Sequence, residues 1–154
     1  MRYARIYFRF IAFTSLLVWC AGFTFNVFTN GSDISIAATP LFNFFYDNVC
    51  HQDNDKIISL NGFGILVCAR CTGIYIGALV ASVLLLFPLQ KKEIPIKIFS
   101  LASFLLLTDV LLNNFVFSSY NKISAFTTGI FFGSICLIIV LNVLEKHFLM
   151  KAEH

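Results

Sequence analysis

Four stretches of this chain, at about residues 8–28, 71–89, 96–117 and 125–144, are each apolar for long enough to cross about 30 Å of hydrocarbon at about 1.5 Å per residue. A backbone in lipid has to satisfy its own hydrogen bonds, and a single segment does so as a helix. The composition agrees. With 58% hydrophobic and 12% charged residues and a mean hydropathy of +0.84, the 154-residue chain has too little polar surface to cover a soluble core. The expected fold is all-α, a four-transmembrane-helix bundle forming one integral membrane domain over residues 1–154.

Lys and Arg set the expected orientation. Arg2, Arg5 and Arg9 precede the first span, Lys91, Lys92 and Lys97 lie between the second and third, and Lys146 and Lys151 follow the fourth. Asp33, Asp47, Asp53 and Asp55 fall on the other side, with Lys56 and Lys122 as its basic residues. By the positive-inside rule both termini are cytoplasmic and the connection 29–70 is external, in a multi-pass protein of the cytoplasmic (inner) membrane. The net charge of +3 is thus a topology signal rather than a face for nucleic acid. The first span is read as retained, because no small-x-small cleavage site follows it cleanly and Trp19 stands where a lipoprotein box before Cys20 needs a small residue.

The external connection is too long for a simple turn. Thr39-Pro40 reads as an N-cap followed by Pro at the first helical position, with Leu41, Phe42, Phe45 and Val49 on one face. An amphipathic helix on the outer leaflet would end near Cys50-His51, followed by a polar turn to Lys56 and a loosened approach at Gly62 and Gly64. Further on, Thr72-Gly73-Ile74-Tyr75-Ile76-Gly77 is echoed by Thr128-Gly129-Ile130-Phe131-Phe132-Gly133. The echo suggests two hairpins of two spans each, with the second span packed on the fourth through the glycines.

Cys50-His51-Gln52 and Cys68-Ala69-Arg70-Cys71 concentrate soft ligands at the membrane edge. In a helical turn the sulfurs of Cys68 and Cys71 face one side and can grip one ion about 2.3 Å away. Cys50 and His51 would complete a tetrahedral set, most suited to zinc, although adjacent helical residues diverge by about 100° and three ligands with an open position serve equally. Gln52 and Asp53 are candidate partners for an imidazole nitrogen. The same thiols, on the oxidising side, also suit redox exchange or a plain disulfide. Cys20 and Cys136 are expected to pack.

Asp109 lies about 12 Å below the outer end of the third span, at the level of Arg70. An ionisable group there is costly unless paired, so Arg70 and Asp109 are expected to form an ion pair, in a pocket with Asn113, Asn114, Ser124, Thr127 and Thr128. Ser103 and Thr108 are expected to serve helix packing.

Cys50-His51-Gln52 followed by Val67-Cys68-Ala69-Arg70-Cys71-Thr72-Gly73-Ile74-Tyr75-x-Gly77 resembles the signature of a bacterial and archaeal family of small membrane proteins without an assigned activity. The resemblance extends over roughly residues 48–133. It implies a basic residue after the first motif, which Lys56 supplies, an aspartate at Asp109, and a Ser-x-Asn before a Thr-Gly at Ser119-Tyr120-Asn121 and Thr128-Gly129. An Arg common between those two is missing, with Ser124 nearby.

These residues support a metal site, zinc or another transition metal, on Cys50, His51, Cys68 and Cys71 at the outer face. A metal-bound water would be activated against a lipid-linked or extracytoplasmic substrate, with Asp109 as base and Arg70 holding an anionic group. A membrane thiol-disulfide oxidoreductase using Cys68 and Cys71 is the alternative, and a small transporter or channel subunit a third. The one partner implied by composition is the lipid bilayer.

Overall fold

The computed structural model describes residues 2–29, 33–51, 53–60, 62–86, 95–116 and 120–151. Among them, helix α1 (Arg2–Phe28) is followed by α2 (Asp33–Asp47), a 3-10 turn (Asn54–Lys56), strands β1 (Ile57–Leu60) and β2 (Phe63–Cys68), α3 (Ala69–Leu86), α4 (Ile96–Leu111) with a π turn at its end (Leu112–Val116), and α5 (Lys122–Lys151). Four segments are helical, long and apolar enough to cross a membrane: Ile6–Phe28, Ala69–Leu86, Ile96–Phe115 and Lys122–His147. Large apolar side chains such as Val18, Phe104, Leu107 and Val143 are exposed on them, as lipid-facing residues are. The four-span expectation therefore holds.

α3 is the centre of the bundle, and the residues it buries are small: Ala69, Thr72, Gly73, Gly77, Ala78, Ala81 and Ser82. Small residues let a second backbone approach closely, which is how helices gain contact where lipid is as apolar as any side chain. α5 takes that place, running parallel to α3. A Cβ at Gly73 would overlap the Phe126 carbonyl oxygen, and one at Gly129 would overlap that of Arg70; one at Gly77 would overlap the Ile130 carbonyl, and one at Gly133 that of Ile74. These contacts are reciprocal. The two copies of the echoed motif meet across a local two-fold axis, to which Ser134 adds a hydroxyl bond to the Gly77 carbonyl (2.9 Å). α1 lies against α3 and α4 against α5, so the chain is two helix pairs joined through their glycines.

An ion pair spans this joint at each end. At the end that carries the cysteine motif, Arg70 of α3 meets Asp109 of α4 at 2.8 Å. At the other end, Arg9 of α1 grips Glu145 of α5 with Nε at 2.6 Å and Nη2 at 3.2 Å, and donates through Nη1 to the Leu85 carbonyl at 2.7 Å. Glu145 is buried, and the Leu85 carbonyl is one of those the last turn of α3 leaves without an intrahelical partner. Arg9 is thus more than a topology signal: it ties three helices together.

Two local readings need correction. Thr39 is no N-cap, since α2 begins at Asp33 and runs through Pro40. Its hydroxyl instead donates to Asn26 Oδ1 on α1 (2.9 Å), which ties α2 to the first span one residue before Pro40. The approach to α3 is no loosened loop but an antiparallel hairpin, with Leu60 opposite Phe63, Ile57 opposite Cys68 and an irregularity between Ile57 and Ser59. Gly62, at φ 85°, makes the turn in a conformation that L side chains rarely adopt.

Candidate metal centre and adjoining polar site

Three structural elements deliver three thiols to one point. β2 runs straight into α3, so Cys68 ends the strand and Cys71 lies in the first turn of the helix. The Thr72 hydroxyl bonds to the Cys68 carbonyl at 3.0 Å, holding this junction. Cys50 comes from the chain after α2, where its N–H bonds to the Tyr46 carbonyl at 2.8 Å. Tyr46 is the anchor for that end: its hydroxyl donates to the Trp19 carbonyl at 2.9 Å, its ring meets Trp19 edge-on at 4.9 Å, and it sits over Gly22 where no Cβ would fit. Burial raises its phenol pKa, so it stays a neutral donor.

The sulfurs of Cys50, Cys68 and Cys71 lie within 4.8 Å of one another. Around one tetrahedral ion with metal–sulfur bonds of about 2.3 Å, sulfurs stand about 3.8 Å apart, so a small contraction would bring all three into a shell. The Cys68 N–H already donates to the Cys50 sulfur at 3.2 Å. Cys50 is part of a buried apolar cluster with Phe23, Ile65 and Val67, and Cys68, Cys71, Trp19 and Tyr75 pack against it.

His51 does not join this group. Cys50 is buried and His51 is exposed, the divergence that adjacent residues show when the backbone does not fold back on itself. Asp53 is likewise not turned to an imidazole ligand but pairs with Lys56 at 3.0 Å, a bond that lowers its pKa. Gln52 lies outside the described residues. Cys20 is buried within the same apolar cluster and Cys136 is half-buried on α5, and neither is among the clustered sulfurs.

Beside the triad, Arg70 leaves α3 toward α4. Asp109 is 5% exposed, and its oxygens accept bonds from Arg70 Nη2, Asn113 Nδ2 (3.0 Å) and the Ser124 hydroxyl. The π turn brings Asn113 round so that its amide also reaches the Asp109 carbonyl at 3.1 Å, while its Oδ1 accepts the Asn121 N–H at 2.9 Å. Asn121 in turn caps α5, its Oδ1 accepting from Ile123 and Ser124 at 3.1 and 3.2 Å. Asn114 and Thr127, expected in this pocket, are exposed instead, and Thr127 and Thr128 bond back to their own helix, as do Ser103 and Thr108. Asp109 thus accepts one side-chain bond on Oδ2 and two on Oδ1, which tie α3, α4 and α5 together.

Two cations lie over the Tyr120 ring, Lys56 Nζ at 5.8 Å and Arg70 Cζ at 5.9 Å from its centre, and burial pushes its phenol up to about 12. Lys122 fixes the hairpin to α5 by donating to the Ile57 carbonyl at 2.7 Å.

Residues 50–139 match the family described as "Predicted membrane protein (DUF2085)", a segment that contains the three clustered cysteines, Arg70 and Asp109. No curated protein and no solved structure matches the chain. Since the match covers more than half of the 154 residues, the chain belongs to this family of membrane proteins.

Proposed function

We propose that the protein is a metal-dependent membrane protein whose transition-metal centre, of a kind best suited to zinc, is held by Cys50, Cys68 and Cys71 at the outer face of the cytoplasmic membrane. The observation that carries this reading is the convergence of three sulfurs within 4.8 Å from three separate elements. Three thiolates leave one tetrahedral position for a water or a substrate atom, the arrangement of catalytic rather than structural zinc sites. Arg70, next to Cys71 in sequence and oriented by Asp109, would hold an anionic group of a lipid-linked or extracytoplasmic substrate. Asp109 then acts as a positioning residue, because it holds Arg70 while accepting bonds from Asn113 and Ser124.

The test is elemental analysis of protein purified without a His tag or chelator. About one metal ion per chain is expected, lost in Cys50→Ser, Cys68→Ser and Cys71→Ser and kept in Cys136→Ser. Chelation should expose the clustered thiols to a thiol reagent without any reductant. Metal-free protein whose Cys68 and Cys71 react only after reduction would overturn the metal centre. It would favour instead a thiol–disulfide oxidoreductase, for which the same sulfur spacing leaves Cys50 as the exchanging thiol.

A further inference from the structure

Among the described residues three buried side-chain donors lack acceptors, Trp19 Nε1 and two on the adjoining side chains of Arg70 and Tyr120. Arg70 uses Nη2 on Asp109, but its Nε is buried without a hydrogen-bond partner, and so is the Tyr120 hydroxyl. A buried donor that makes no bond is costly, and these two belong to side chains stacked against each other. Lys56 lies over the same Tyr120 ring, and Lys122 begins α5 two residues later.

Asp109 holds Arg70 and Asp53 holds Lys56, while Lys122 donates to the Ile57 carbonyl and Asp55 stands beside Lys56 in the same turn. Tyr120, its phenol shifted upward by burial, presents a proton rather than a charge. The surroundings therefore offer N–H and O–H donors from cationic and neutral side chains. That combination matches an anion with several acceptor oxygens, to which the Nε–H of Arg70 and the Tyr120 hydroxyl can donate.

We propose that Arg70 and Tyr120, flanked by Lys56 and Lys122, form a binding site for a phosphate-type oxyanion beside the sulfur triad, a role that rests on the metal-centre reading above and names the substrate class for it. Arg70 and Lys122 stand at the first turns of α3 and α5, so the site lies at one end of the helix bundle. The oxyanion belongs either to a lipid headgroup or to a soluble phosphorylated molecule.

Isothermal titration of the full chain in a phosphate-free maltoside detergent separates these sources. One arm uses inorganic phosphate, the other short-chain phosphatidylglycerol, and the metal content of each sample is measured alongside. Saturable binding is expected in at least one arm. Tyr120→Phe and Arg70→Lys should each weaken it about tenfold, the effect of losing one well-placed hydrogen bond to a charged group. Lys56→Gln, at a half-exposed side chain outside the bundle, should weaken it several-fold, and Lys146→Gln at the far end should leave it unchanged. Binding of phosphate supports a soluble phosphorylated substrate; binding of the lipid alone supports a headgroup. Metal-loaded protein that binds neither probe overturns the oxyanion site and leaves the metal centre standing, whereas metal-free protein that binds one of them does the reverse. Undiminished binding in Tyr120→Phe, Arg70→Lys and Lys56→Gln also overturns it.

Discussion

Gly129→Ala tests the joint between the two helix pairs. The new methyl would lie 2.5 Å from the Arg70 carbonyl oxygen, whereas ordinary contact begins at 3.4 Å, so α5 has to withdraw from α3 by about 1 Å. A gap of that size forfeits about a quarter to a half of the attraction for each atom pair across it, and comparable over-packing costs about 1–3 kcal/mol. Gly73→Ala should cost a similar amount, because the local two-fold axis places Gly73 against Phe126 as it places Gly129 against Arg70. Once one methyl has parted the helices, the second finds the space already open. The double variant should therefore fall short of the sum of the single ones by about 1 kcal/mol or more. Thermal unfolding of the four proteins in one detergent measures the cycle. Additivity within about 0.5 kcal/mol, or single variants as stable as the parent, would refute the close backbone contact.

Asp109→Asn leaves Arg70 without its counter-charge and should destabilise by about 3 kcal/mol, with much of the loss recovered in the double variant with Arg70→Gln; purely additive unfolding free energies would show that the pair is not coupled. Glu145→Gln should likewise destabilise by about 2 kcal/mol or more, since Arg9 loses its bidentate partner, and an unchanged midpoint would count against that grip. Reporter fusions at Asp55 and at the C-terminus should give opposite sidedness, with the C-terminus cytoplasmic. An external C-terminus would move the cysteines to the reducing side and remove the ground for the redox alternative.

The spans were legible because twenty apolar residues admit few structures in lipid, and the α3–α5 packing because Gly73, Gly77, Gly129 and Gly133 repeat at helical spacing. Arg70 and Asp109 were legible as a pair because neither tolerates hydrocarbon alone. The hairpin carried a signal that went unread: Asn61-Gly62 between Ile57-Ile58-Ser59-Leu60 and Phe63-Gly64-Ile65-Leu66-Val67 is a strong two-residue turn pattern, masked by the apolar run that follows it. Thr39-Pro40 misled for the opposite reason, since local capping preferences yielded to contacts with α1 that no local pattern encodes. His51 looked equal to Cys50 as a ligand because spacing alone cannot say which of two neighbours turns inward. Glu145 stands next to Lys146 at the end of an apolar run, where nothing local marks a buried acid, while its partner Arg9 lies at the far end of the chain.

The two inter-pair ion bridges have a mechanical consequence. A joint of glycine against backbone is smooth, with no interlocking rotamers to resist tilting, and taken alone it would let one helix pair rock on the other. Arg70 with Asp109 and Arg9 with Glu145 close it at both ends of α3, about 22 Å apart from Arg70 to Leu85, each with the cation on the first pair and the acid on the second. Clamped at two points, the frame is stiff; released at either one, it becomes a lever whose pivot is the clamp that remains.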